Sequence, residues 1–262
     1  MAKRLRKEAA DDSPVTAANY VRRCALAMSV GGKAGGRSFA TERNCLIEWF
    51  KNRGAVLNPD ILNKFGPVSM GSEHAVYFDR EGLRAIKCTR PNGFGHSVYA
   101  IGSHATPLEY LRRLGFNNHL FGDDIHLLGC FLSDDGAVQI VSSQPWVTAS
   151  LTEPDASDEQ IATLLAEVRF KRSRLFSEAA VFYSPELNLV VGDAHGGNVL
   201  VSEAGDVVPI DLVIGQPCKE LEAKFRLENP QAESAEDDSD ITTTTGGLIS
   251  STQIEIDFGY FP

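Results

Sequence analysis

Cysteine is sparse in this sequence, and nothing suggests that it is paired. Cys24, Cys45, Cys88, Cys130 and Cys218 are odd in number and widely spaced, with no C-x-x-C. That pattern argues against a disulfide frame or a cysteine zinc site and suits reduced thiols in a cytoplasmic protein. No apolar run is long enough to cross a bilayer, and no secretory leader is recognisable, so a cytoplasmic location without membrane contact is expected. Basic charge is also short: 25 Lys and Arg stand against 35 Asp and Glu, a net charge of −10. The stretch Glu228–Asp240 is rich in Asp and Glu and holds no Lys or Arg. Nucleic-acid binding depends on cations that neutralise phosphates, so nucleic acid is not an expected partner, and the basic start Lys3–Lys7 reads as a solvated terminus. A complete phosphate loop is missing as well. Gly31–Ser38 lacks G-x-x-x-x-G-K-[ST] and follows a helical pattern rather than a strand, so it reads as a flexible linker.

What is present is concentrated in Val190–Asp211. Two apolar runs, Leu189–Val191 and Val199–Val201, flank a polar loop carrying Asp193, His195 and Asn198. A third short run, Val207–Ile210, ends in the carboxylate of Asp211. The pattern is strand, polar loop, strand, glycine turn, strand. Phosphoryl transfer from ATP needs such a layout, with one carboxylate beside the acceptor hydroxyl and an amide plus a second carboxylate on magnesium. Asp193 and Asn198 are five positions apart, the separation of Asp and Asn in the kinase loop H-R-D-x-x-x-x-N.

Gly192-Asp193-Ala194-His195-Gly196-Gly197-Asn198 resembles the D-x-H-x-x-N loop of the aminoglycoside phosphotransferase and choline kinase side of the protein-kinase-like fold. The whole chain is also similar to the small kinase-like domains of phage polyvalent proteins. The resemblance implies a bilobal α+β fold, with a small antiparallel β lobe and a reduced helical lobe. It implies Asp193 as the catalytic carboxylate, Asn198 and Asp211 as Mg²⁺ ligands, and His195 as a residue that shapes the loop. The Asp that opens D-F-G is matched by Asp211, but Leu212-Val213 follow it, so no D-F-G-style switch carries over.

Such a site requires a turn, a lysine strand and a glutamate helix upstream. Gly71-Ser72 begins a turn into Glu73–Phe78, and Leu83–Lys87 forms the next strand. Ala85-Ile86-Lys87 resembles the end of V-A-I-K, which assigns Lys87 to the α/β-phosphates. Gly71 stands alone, without G-x-G-x-x-G, although backbone N–H groups of Gly71 and Ser72 can still approach phosphates. Pro107–Leu114, ending at Gly115, reads as the next helix, and Glu109 is the expected ion-pair partner of Lys87. His126–Leu132 and Ala137–Val141 follow as a hairpin about Ser133–Gly136. Gln144 and Trp146 then fall where the resemblance puts the adenine-binding hinge.

The chain divides into an N-terminal helical segment (1–66), a small lobe (67–147), a large lobe with the catalytic loop (148–227) and an acidic, disordered tail (228–262). Candidate helices are Ala17–Met28, Thr41–Lys51 with Thr41 as cap, Ser157–Ser177, and Cys218–Leu227. So little follows Asp211 that no full peptide-docking platform is expected there; either the N-terminal helices pack on the large lobe in compensation or a partner completes it. Gly192–Gly196 also matches G-D-x-H-G of calcineurin-like phosphoesterases, but no histidine follows His195 and a two-metal site would lack ligands. The expected cofactors are ATP and Mg²⁺, and the acceptor is a protein or small-molecule hydroxyl. The alternative is a nucleotide-binding pseudokinase that regulates or scaffolds.

Overall fold

The computed structural model describes residues 12–29, 38–98, 104–176 and 180–228. The expected disordered tail, most of the glycine-rich linker and the basic start lie outside the described residues.

Helix α1 (Pro14–Ser29) buries Ala17, Ala18, Val21 and Ala25, a stripe at helical spacing. Helix α2 (Phe39–Asn52) is capped by Ser38, three residues before the expected Thr41 cap, and the Ser38 hydroxyl accepts the Thr41 N–H. It presents Leu46, Trp49 and Phe50 to the core. Both helices pack on helix α3 (Pro107–Phe121) of the small lobe, and α2 also meets strand β4. They therefore support the small lobe, not the large lobe as the sequence suggested. Their apolar stripes match the one on α3, where Leu108 and Leu111 lie in the same cluster.

The small-lobe sheet contains β1 (Gly66–Met70), β2 (His74–Asp79), β3 (Arg84–Thr89), β4 (His126–Leu132) and β5 (Val138–Pro145). Its order is β1-β2-β3-β5-β4, antiparallel throughout. The central strand β3 is buried along its whole length, which leaves Lys87 in the interior opposite Val76 and Ser142. Helix α3 does not stop at Gly115. A Thr106–Glu109 capping box starts it, Gly115–Asn117 continue its buried face, and left-handed Gly122 ends it.

The large lobe is built from short pieces: α4 (Asp158–Glu167), β6 (Lys171–Arg172), β7 (Phe182–Ser184), β8 (Leu189–Gly192), β9 (Val199–Val201), β10 (Val207–Pro209), β11 (Val213–Gly215) and α5 (Lys219–Glu228). They form a ribbon β10-β9 and a sheet β11-β8-β7-β6. The helix expected over Ser157–Ser177 ends at Glu167. Arg169 takes a left-handed backbone (φ 69°), Phe170 turns inward, and Lys171–Arg172 pair with β7 as a strand. One apolar core spans both lobes, running from Phe50 and Leu111 to Leu165, Val191 and Leu212.

Candidate active site

The strand carrying Lys87 lies centrally in the small-lobe sheet, and its side chain crosses to the large lobe. Lys87 Nζ donates to the Ile210 carbonyl at 2.6 Å and lies 3.6 Å from Asp211 Oδ1. Gln144, buried at the end of β5, donates to the same Ile210 carbonyl at 3.1 Å. The backbone N–H of Ile210 is taken by the Asn198 carbonyl at 2.8 Å, so the Asp211 segment is fixed to the Asp193 loop. Residues far apart in sequence thus converge on Ile210-Asp211.

The expected Lys87–Glu109 ion pair is not made. Glu109 is the third residue of α3, where its carboxylate accepts the Thr106 N–H at 2.9 Å. Burial pushes its carboxyl above the ordinary value, against the hydrogen bonds from Thr106 and Ser97. The helix contributes a cation in its place. Arg113, one turn further on and 3% exposed, sits between two carboxylates. Its Nη1 donates to Glu73 Oε2 at 2.8 Å and its Nη2 to Asp211 Oδ1 at 2.7 Å. Its Nε meets the Leu212 carbonyl at 3.0 Å, a carbonyl that Asn117 also reaches. A planar guanidinium serves such a fork, where a lysine could not bridge all three acceptors.

Glu73 and His74 complete the cluster and were not anticipated. Glu73 folds back from the β1–β2 turn, also accepting the His96 N–H, beneath Gly95. Gly95 has φ 74°, and a Cβ there would lie 2.6 Å from the Glu73 carboxylate, so only glycine fits. His74 Nε2 meets the Tyr110 hydroxyl at 3.0 Å and its Nδ1 faces Asp211 Oδ2 at 3.4 Å. Burial alone would raise the Asp211 carboxyl, but Lys87 and Arg113, with help from His74, hold it well below the ordinary carboxylate range. Asp123, just past α3, is within electrostatic reach of Lys87 and Asp211. Burial pushes it up to about 7, with Lys87 opposing and Asp211 adding.

The Asp193 loop is built differently. Asp193 adopts φ 56°, a left-handed conformation that a short polar side chain tolerates. Asn198 Nδ2 donates to Asp193 Oδ2 at 2.7 Å and to its carbonyl at 2.9 Å. His195 Nδ1 accepts the Gly197 N–H at 3.1 Å, and its Nε2 lies 3.5 Å from Asp193 Oδ1. Gly196 is required where it stands, because a Cβ would meet Asp155 at 2.8 Å and the Ala156 carbonyl at 3.0 Å. With its Nδ2 committed, Asn198 has its amide oxygen left for a cation. That oxygen and the Asp211 carboxylate are hard oxygen donors of the kind Mg²⁺ takes, so the donor chemistry fits that ion.

The remaining expected residues lie at the periphery. Gly71 and Ser72 are exposed at the β1–β2 turn, and Gly71 gives its carbonyl to Arg90. Trp146 packs on Phe78 at 4.4 Å between ring centroids, and its backbone N–H donates to the Leu83 carbonyl. Arg113 carried one sequence signal: it is four residues from Glu109 and four from Asn117, on a face shared with Tyr110. A surface charge has the same spacing, so only the tertiary partners distinguish it.

The five-stranded sheet, the helix packed on it and the Lys87–Asp211 contact define a protein-kinase-like domain of reduced size. The chain belongs to the family described as the serine/threonine/tyrosine kinase found in polyvalent proteins, which it matches over residues 40–215, well over half of its length. No curated protein matches it. The family match places the domain in the kinase-like class, and no described helix is long and apolar enough to cross a membrane.

Proposed function

We propose that the domain transfers the γ-phosphate of ATP to a hydroxyl acceptor, with Asp193 as the group that accepts or orients the hydroxyl proton. The observation that carries this reading is Lys87 reaching from the small lobe to Ile210-Asp211, the segment hydrogen-bonded to Asn198. In it, Lys87 neutralises the α/β-phosphates, Asn198 and Asp211 hold Mg²⁺, and Gln144 and Trp146 border the base. Gly71 and Ser72 stand over the phosphates, and Glu109 holds the start of α3 instead of reaching the nucleotide. Bound Mg²⁺ supplies neutralisation of the phosphate charge. The protein contributes alignment and fixed charge, which carry most of the rate in this reaction.

A second reading is a nucleotide-binding pseudokinase with a regulatory or scaffolding role. It is favoured by the occupancy of Asp211, whose carboxylate is already engaged by Arg113 and faced by Lys87 and His74. Turnover separates the two. With [γ-³²P]ATP and Mg²⁺, label transfer to protein or water that both Asp193→Asn and Lys87→Met abolish supports the enzyme. Mg-dependent ATP binding without transfer supports the pseudokinase, and absence of binding overturns both.

A further inference from the structure

Cys24 and Met28 stand one helical turn apart on the same face of α1, and α2 packs against that helix. Cys45 meets them from α2. Its sulfur lies 3.8 Å from the Met28 sulfur, and the Cys24 and Cys45 thiols are in hydrogen-bond contact. Three sulfurs from two helices thus converge, and none of them belongs to the candidate active site. Cys45 is buried, Cys24 is half-buried and Met28 is 59% exposed, so the group is enclosed on one side and open to solvent on the other. A lone buried thiol is ordinary core packing, whereas three sulfurs in contact are a set of soft donors.

That donor set discriminates among cations. Mg²⁺ and Ca²⁺ take oxygen ligands, which the group does not offer. Structural Zn²⁺ takes four ligands, drawn from thiolate, imidazole and carboxylate. Among the described residues, no His, Asp or Glu joins the two thiols within reach of a common ion. Thiolate and thioether together suit Cu(I). A planar three-sulfur site with metal–sulfur bonds of about 2.3 Å spaces its sulfurs about 4 Å apart. The Cys45–Met28 separation of 3.8 Å is close to that spacing. Protonation narrows the choice further. Burial, with Cys24 alongside, pushes the Cys45 thiol up to about 12, so an incoming ion must displace a firmly held proton. A strongly thiophilic ion does so, and a hard one does not.

We infer that Cys24, Met28 and Cys45 form a binding site for one Cu(I) ion, separate from the proposed phosphotransfer centre and independent of that reading. On binding, the two thiol protons pass to water, and two thiolates and the Met28 thioether close around the ion. Copper enters and stays as Cu(I), so nothing is oxidised or reduced. Helices α1 and α2 both pack on α3, the helix that carries Arg113, so the ion clips together the support of that helix.

The test uses the full chain, reduced and kept under nitrogen, titrated with Cu(I) held by the coloured chelator bathocuproine disulfonate. Withdrawal of copper from the chelator reads affinity, and X-ray absorption of the loaded protein reads the ligands. The expected result is one copper per chain with three sulfurs at about 2.3 Å. Cys24→Ser should weaken binding by roughly a hundredfold or more and Met28→Leu by roughly tenfold. Met28→Leu conserves size at an exposed position, so its loss cannot be put down to misfolding. Cys218→Ser, which removes a thiol outside the group, and Lys87→Met, which disables the proposed nucleotide site, should bind copper as wild type does. Failure of wild type to take copper from the chelator overturns the inference. So does affinity unchanged in Cys24→Ser or in Met28→Leu, or Zn²⁺ held as tightly as Cu(I).

Discussion

The charges that bear on the site are buried and paired where the small lobe meets Asp211, whereas in the Asp193 loop they stand in solvent. Arg113 is 3% exposed and Lys87 10%, and each meets the Asp211 carboxylate. Asp193 and His195 are 45% and 58% exposed and are held by a tight turn and one amide. The difference follows from how each lobe is made. A five-stranded sheet covered by α1–α3 can enclose a guanidinium if every N–H finds an acceptor. The Asp193–Asn198 loop joins β8 and β9, which belong to different sheets, and Asp193, His195 and Gly197 stay exposed. The proposed nucleotide end is thus tied to folding and the proposed acceptor end is not, so stability and activity should be separable by position.

The severest test of that contrast is Arg113→Met. It leaves the Glu73 and Asp211 carboxylates without their shared partner, and removing one member of a buried ion network costs about 3–5 kcal/mol. Urea unfolding should report a loss of that size, with phosphotransfer falling as Asp211 loses its orientation. A loss below about 1 kcal/mol would place Arg113 with ordinary surface charges and break the comparison.

Asp193→Asn should do the reverse. The amide cannot take the acceptor proton, so transfer falls by about 10²–10⁴-fold, the usual worth of a positioned general base. The urea midpoint should stay within about 0.5 kcal/mol of wild type, because the side chain is half exposed. A large stability loss would mean that the loop is folded through Asp193 as well.

What could be read in advance divides along the same line. Local signals were clear: the hairpin turn Ser133–Gly136, the alternation of turns and short apolar runs in Val190–Asp211, and the Lys87 strand between two turns all follow from chain chemistry within a few residues. The Lys87–Glu109 pair was not made because Thr106 at the cap claims Glu109, and a Thr-x-x-Glu capping box is itself a sequence pattern. Arg113, Glu73 and His74 depend on which buried strand meets which helix face, and no local spacing reports that. The early stop of α4 rests on a left-handed arginine, Arg169, which carries no sequence mark.

Glu109→Gln sharpens the comparison at smaller scale. The amide oxygen keeps the capping acceptor, so stability should change by less than about 1 kcal/mol. Affinity for Mg-ATP, measured by calorimetry, should stay within twofold, since Lys87 does not rely on Glu109. A tenfold loss would show that α3 rotates to form the pair once nucleotide is bound.

The smallest effect concerns Asp123, and its sign can be worked out. Its folded value lies near 7 against an ordinary 3.8, so the folded protein holds that proton more tightly than the unfolded chain does. Stability from this group is therefore full below about pH 4 and is lost as pH rises towards 7. Asp211 behaves oppositely: its depressed carboxyl contributes stability above pH 3.8 that disappears only in acid. Glu109 is also raised, so the wild-type slope alone does not isolate Asp123. The difference between wild type and Asp123→Asn does. The two should melt together near pH 4.5, and the variant should gain a few degrees over wild type by pH 8. A gap that is constant from pH 4.5 to 8 would remove Asp123 from the buried charge network.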